Sequence, residues 1–212
     1  MRITLFDNHD SFTWNLAHDL EREGVHVTVV RAGEWSDDLW AQTDALVLSP
    51  GPGLPQEHLQ LLGIIDEALG HGVPVLGVCL GMQALAVHFG AALRNLDAPL
   101  HGRSTEITWS LKGVETAPLA SMWEELGSPT HVGHYHSWVV DEASLPADLH
   151  VNARNSQGLP MAFLHGTLPV AGVQFHPESV LTPEGQTLLR GWISAAQRCL
   201  AISASNVSLN FS

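Results

Sequence analysis

Short apolar strand-like runs alternate with amphipathic helix-like segments through the first half of the chain, and this predicts an α/β fold with a doubly wound, mostly parallel sheet. Shorter β-rich pieces in the second half add an antiparallel extension. A length of 212 residues is enough for one well-cored domain, and no composition shift, repeat or low-complexity stretch separates two.

Ile3 to Phe6 reads as the first strand, Phe12 to Glu23 as a helix, and His26 to Val30 as the second strand. Asp44 to Leu48 and Pro74 to Val78 are two more strands, with a helix from about Gln56 to Leu69 between them. A further helix begins at Met82-Gln83-Ala84-Leu85-Ala86. Strand pieces follow at Glu106 to Trp109, Trp138 to Val140, Leu149 to Ala153, Met161 to Leu164 and Val170 to Gln174. The last helix, about Pro183 to Leu200, is expected to start with Thr182 as N-cap, Pro183 at the first position and Glu184 in the first turn. These boundaries give a domain over residues 1–200 and a polar tail, 201–212, that frays.

Composition excludes several functions. A formal charge of −13 with nine Lys and Arg, none clustered, argues against a nucleic-acid surface. No apolar stretch approaches the length of a membrane span. Two cysteines, Cys79 and Cys199, make no disulfide framework, and the N-terminus enters a strand without a leader pattern, so a cytoplasmic protein is expected. In that compartment the Asn206-Val207-Ser208 sequon has no meaning.

Gly77-Val78-Cys79-Leu80-Gly81 carries the most chemistry. A strand, a sharp turn and a helix with a nucleophile at the turn form a nucleophile elbow, known best as G-x-S-x-G. The flanking glycines remove side chains that would collide with the neighbouring strand and helix. A cysteine there lies at a helix N-terminus, where free amides favour the thiolate, the attacking form. Taken alone, Cys79 reads equally as a small buried hydrophobe.

Val173-Gln174-Phe175-His176-Pro177-Glu178 supplies a base and a carboxylate at a strand end, with Pro177 ending the ladder so that Glu178 can orient His176. A Cys, His and Glu set is the logic of acyl transfer. Ser49-Pro50-Gly51-Pro52-Gly53 is a stiff loop in which a glycine amide, with that of Leu80, could hold an oxyanion; alone it is an ordinary strand-ending turn. Asp7-Asn8, this loop and Cys79 all fall at the carboxyl ends of strands, the usual ligand crevice of open α/β sheets.

These residues, together with Asp7 to Asn15, Gly77 to Gln83, His101-Gly102, Tyr135-His136-Ser137 and Gly172 to Glu178, resemble the class I glutamine amidotransferases, whose flavodoxin-like core is the same fold class. The motifs span nearly the whole chain, and within the family they are most similar to the small subunits of anthranilate synthase and aminodeoxychorismate synthase. The resemblance implies hydrolysis of L-glutamine to glutamate and ammonia, delivered to a chorismate-binding large subunit, with no cofactor or metal. It implies Cys79 as nucleophile, His176 as base and acid, Glu178 as its orienting group, and Gly53 and Leu80 as oxyanion amides. Gly51, Pro52, Gly53, Gln83, Ser137 and Trp138 match substrate-binding positions, the last two through backbone, while Asp10, Ser11 and His101 match motifs near the partner or supporting the site. Relatives usually carry tyrosine at His9, histidine at Met82 and often leucine at Trp138, which bears on the pocket wall and on contacts of the elbow helix or the partner.

Three other readings compete. Thirteen histidines invite a metal, with His131, His134 and His136 densest, but no nearby Cys, Asp or Glu completes a tetrahedral set. A stand-alone γ-glutamyl hydrolase would keep the thiolate and its base, but Gln83, Tyr135-His136-Ser137 and Asp7 to Asn15 favour the amidotransferase. A non-catalytic binding module would be expected to lack Cys79, His176 or Glu178, and all three are present. Between the tryptophan and folate pathways the motifs give only a preference for anthranilate synthase.

Overall fold

In the computed structural model, which describes residues 1–209 and side chains through Ser205, strands and helices alternate from the start. The first half runs β1 (Arg2–Asp7), α1 (Thr13–Glu21), β2 (His26–Arg31), β3 (Ala45–Leu48), α2 (Leu59–His71), β4 (Val75–Val78) and α3 (Leu80–His88). The second half runs β5 (Leu93–Trp109), β6 (Thr130–Val140), β7 (Leu149–Asn155), β8 (Pro160–His165), β9 (Val170–Val173) and α4 (Gly185–Leu209). Among the described residues the strands form one sheet ordered β2-β1-β3-β4-β9-β8-β7-β5-β6. The pairs from β2 to β9 are parallel, and from β9 onward the sheet continues antiparallel.

The period of two along each strand decides which face a side chain joins. Ile3 and Leu5, Ala45 and Val47, Leu76 and Val78 bury against Leu16 and Leu20 of α1 and Leu188 and Trp192 of α4. The alternate residues, Phe6, Leu46, Leu48 and Val75, meet Ile64 and Ile65 of α2 and Leu85 of α3. Strands β3 and β4 are buried at every position, as expected where helices cover both faces of a parallel sheet.

The chain winds from β1 outward to β2, then crosses back to β3, so the sheet order reverses between β1 and β3. The crevice outside the carboxyl ends of such strands is where open α/β sheets bind ligands. The loops after β1, β3 and β4 meet there.

The structure departs from the sequence expectation in four places. The antiparallel strands β5 and β6 extend far beyond Glu106–Trp109 and Trp138–Val140; β5 buries Ile107 and leaves most of its other residues wet, so it carries no alternation to read. The expected helix from Gln56 splits into a single 3-10 turn at Pro55–Glu57 and α2, which ends at Gly72 with φ +65°. Thr182 is not a helix cap: α4 starts at Gly185, and the Thr182 hydroxyl is engaged elsewhere. Finally, α4 runs on to Leu209, through most of the segment expected to fray, while residues 210–212 lie outside the described residues. Among the described residues no helix is long and apolar enough to cross a membrane.

Trp192 is fully buried between α4 and the sheet, whereas Trp14 on α1 is 53% exposed. Trp192→Ala is therefore expected to cost about 3–5 kcal/mol of unfolding free energy, and Trp14→Ala within about 0.5 kcal/mol. Urea denaturation of both variants checks this; equal losses would contradict the assignment of the core.

Candidate active site

Cys79 closes β4 and opens α3 with φ +52° and ψ −102°, a conformation that L-residues avoid. Its amide donates to Val173 O on β9 at 2.8 Å, and its carbonyl accepts from Gln83 N at 3.0 Å, so both neighbours hold the turn in place. The flanking glycines are required by contact. A Cβ on Gly77 would lie 2.5 Å from the Gly81 carbonyl carbon, and one on Gly81 would lie 2.4 Å from Leu48 O.

Beyond β9 the alternation continues: Ala171, Val173 and Phe175 enter the first core, which turns Gly172, Gln174 and His176 toward α3 and Cys79. His176 is bridged to β6, its amide donating to Gly133 O at 3.0 Å. Its carbonyl accepts from the Thr182 hydroxyl at 2.6 Å, and Thr182 Oγ1 in turn accepts from Gly133 N at 2.9 Å. Thr182 thus clamps the residue expected to act as base.

The His176 Nδ1 bonds Glu178 Oε1 at 2.7 Å, with the Glu178 side chain fully buried. Phe12 and Tyr135 meet the imidazole edge-on, with ring centroids 5.3 and 5.0 Å away. Burial opposes a charge on this ring, but the adjacent Cys79 and the Glu178 carboxylate outweigh it and lift His176 from 6.5 to about 10. Among the described residues the ring's Nε2 has no partner in aligned hydrogen-bond geometry, while the adjacent Cys79 is the leading group that raises His176.

The loop after β3 is pinned from both sides. Asn8 donates from its amide to Ser49 Oγ at 2.9 Å and from Nδ2 to Ser49 O at 3.0 Å, while His58 Nε2 donates to Pro52 O at 2.8 Å. Asp7 Oδ1 accepts from His9 N and from the Thr13 hydroxyl, which fixes the turn leading to Phe12; Asp10 Oδ1 accepts from Phe12 N. Ser11 is exposed.

Gly51, Pro52, Gly53, Cys79, Leu80, Gln83, Ser137 and Trp138, all singled out from the sequence, line one cavity of about 280 Å³. His101, Tyr135 and His136 complete its wall. His176 and Glu178 stand behind Cys79 rather than on the wall. His101 Nε2 and Ser137 Oγ lie 3.2 Å apart on the rim. Met82 faces away: it is fully buried against Phe163 and Gly172 in the core between α3 and the sheet.

Gln174, Phe12 and Thr182 have site contacts that the sequence did not single out. For Gln174 a signal existed, because residues two apart on a strand share a face and His176 was already chosen. His134 and His136 do share a face, 3.3 Å apart, but they bond each other, and no group of three or more metal-ligating side chains occurs among the described residues.

The profile of the family described as glutamine amidotransferase class-I matches residues 4–195. A protein named anthranilate synthase from Azospirillum brasilense is 44% identical over 185 residues, 87% of this chain but only 24% of that longer protein. Anthranilate synthase component 2 of Mycobacterium tuberculosis is 39% identical over 198 residues, 92% of this chain and 82% of its own. Aminodeoxychorismate synthase of Streptomyces griseus is 40% identical over 93% of this chain and 26% of that protein. Among solved structures, a protein from Thermoplasma acidophilum described as a subunit of GMP synthase superposes with a TM-score of 0.83 at 28% identity, covering 96% of this chain and 98% of the other. With a family profile covering most of its length and this elbow geometry, the chain belongs to the class-I glutamine amidotransferases.

Proposed function

We propose that this chain is the glutamine-hydrolysing subunit of a chorismate-aminating synthase, supplying ammonia for anthranilate formation. The observation that carries the reading is the meeting of a strained, cavity-lining Cys79 with a buried His176–Glu178 pair. A relative named as component 2 of anthranilate synthase, matched over most of both chains, supports the acceptor. Long relatives matched over about a quarter of their length carry this domain beside further sequence, in keeping with a large synthase partner.

In the proposed reaction, L-glutamine enters the cavity with its carboxamide over Cys79. The sulfur attacks the carboxamide carbon, and the oxygen gathers charge beside the amides of Gly53 and Leu80. Leu80 opens α3, where amides have no carbonyl partner one turn back and suit a developing anion. His176 gives its proton to the departing nitrogen, so the C–N bond breaks and ammonia leaves a γ-glutamyl thioester. Water then loses a proton to His176 and attacks the thioester, releasing glutamate and the thiolate. Glu178 holds the ring through Nδ1 and steadies its charge throughout. Gly51, Pro52, Ser137 and Trp138 shape the substrate pocket, and Gln83 presents Oε1 to it because both amide hydrogens are used elsewhere.

The same chemistry serving aminodeoxychorismate synthase is the second reading, supported by the Streptomyces relative. Mixing the chain with each chorismate-binding partner and identifying the glutamine-derived product separates the two. Anthranilate is expected; glutamine consumption in neither mixture would contradict both. In the productive complex, Cys79→Ser is expected to lower glutamine-dependent synthesis by roughly a thousandfold or more while ammonia-dependent synthesis stays within about twofold. Retained glutamine-dependent turnover would exclude Cys79 as nucleophile.

Stability carries a matching pH signature. Because folding raises His176 from 6.5 to about 10, the stability that its proton contributes is complete below pH 6.5 and disappears as pH rises through about 10. A His176→Gln variant is expected to lose that part of the pH dependence of the urea midpoint, and an unchanged slope would contradict the assigned charge.

A further inference from the structure

Behind the cavity, one backbone oxygen organises two strings of hydrogen bonds. Trp138 O accepts from His136 Nδ1 at 3.1 Å and from Gln83 Nε2 at 2.9 Å. A carbonyl can only accept, so His136 carries its proton on Nδ1 and Gln83 turns its NH₂ toward Trp138.

Each choice fixes the next. His136 Nε2 is then an acceptor, and the 3.3 Å contact to His134 Nδ1 makes His134 the donor. His134 Nε2 in turn accepts from the Thr105 hydroxyl at 2.7 Å. Burial holds both rings neutral, lowering His134 to about 4 and His136 to about 3, so this string keeps one polarity at physiological pH. On the other side, the second amide hydrogen of Gln83 goes to Gln174 Oε1 at 3.2 Å, which leaves the Gln174 NH₂ aimed at Cys79 Sγ, 3.6 Å away. The opposite setting of the Gln174 amide would oppose its NH₂ to that of Gln83 and its oxygen to the sulfur.

We propose that Gln174 is a positioning residue for the nucleophile: its side-chain N–H, held in one orientation by Gln83 and Trp138 O, fixes the Cys79 sulfur and stabilises negative charge on it. Gln174 is fully buried and does not line the cavity, so it acts through the sulfur and makes no contact with substrate. Hydrogen bonds to a charged acceptor are stronger than neutral ones and are most effective where water is excluded. Gln174 restrains the sulfur from the β9 side.

The proposal rests on Cys79 being the nucleophile, and its test separates the two claims by using a readout that needs no glutamine. In a Cys199→Ser background, the rate of Cys79 alkylation by iodoacetamide at fixed pH is compared among the parent, Gln174→Met and Gln174→Glu. Gln174→Met keeps the shape and removes the donor; Gln174→Glu keeps the acceptor for Gln83 and turns an oxygen toward the sulfur. Alkylation is expected to slow about tenfold or more in Gln174→Met and further in Gln174→Glu, the scale of one hydrogen bond to a charged group. In the complex with the synthase partner, kcat for glutamine is expected to fall by at least about fivefold in both variants, and KM to stay within about twofold in Gln174→Glu, which keeps the acceptor that orients Gln83. If Gln174→Met fails to give a cooperative melt, Gln174→Glu carries the test alone. Folded variants with unchanged alkylation rate and kcat would overturn the proposal. Slowed alkylation in a protein that forms no glutamate from glutamine with either partner would uphold the positioning role and count against the glutaminase reading instead.

Discussion

Everything at this site depends on a backbone turn that holds Cys79 at φ +52°. A residue there carries a strain of about 1–3 kcal/mol, so the surroundings must over-determine it. They do so by contact. Gly77 lies against the first turn of α3, Gly81 lies against β3 at Leu48, and the Cys79 amide is tied to β9. A side chain at either glycine would push the helix away from the sheet and release the turn. The strain is thus sustained by close approach of three elements whose packing is secured by two large apolar cores.

Once the elbow is fixed, the sheet order supplies its partners. Placing β9 beside β4 brings residues almost a hundred positions later in the chain against the sulfur. One run of alternating residues then divides labour: Val173 and Phe175 anchor in the core, while Gln174 and His176 face Cys79. His176, the proposed base, is restrained at its backbone by Gly133 and Thr182, at its ring by Glu178, and at its edges by Phe12 and Tyr135. Such multiple restraint holds the imidazole in one position and orientation.

The parts legible in the sequence were those encoded locally. Continuous apolar runs marked β3, β4 and β9, and a cysteine between two glycines marked the elbow. His176, Pro177 and Glu178 were readable because they stand together after a strand. What sequence did not reveal depends on distant neighbours. Thr182-Pro183-Glu184 has the composition of a helix start, yet the hydroxyl is taken by Gly133 N and His176 O, and the helix waits until Gly185. Gln174 gains its contact only because β9 pairs with β4. Met82 occupies core space beside Gly172 with no exposed surface, so its effect is on the packing of α3. The pair His134 and His136 has the spacing of metal ligands and instead forms a neutral hydrogen-bonded string.

The central claim is that the elbow thiolate forms a covalent bond to the γ-carbonyl of glutamine. Acid quenching of the synthase complex during steady-state turnover of glutamine, followed by peptide mass analysis, tests it most directly. The account predicts a glutamyl adduct, labile to hydroxylamine as a thioester, on the peptide that contains Cys79. Steady formation of glutamate with no adduct on that peptide, or with an adduct on a different residue, would contradict it.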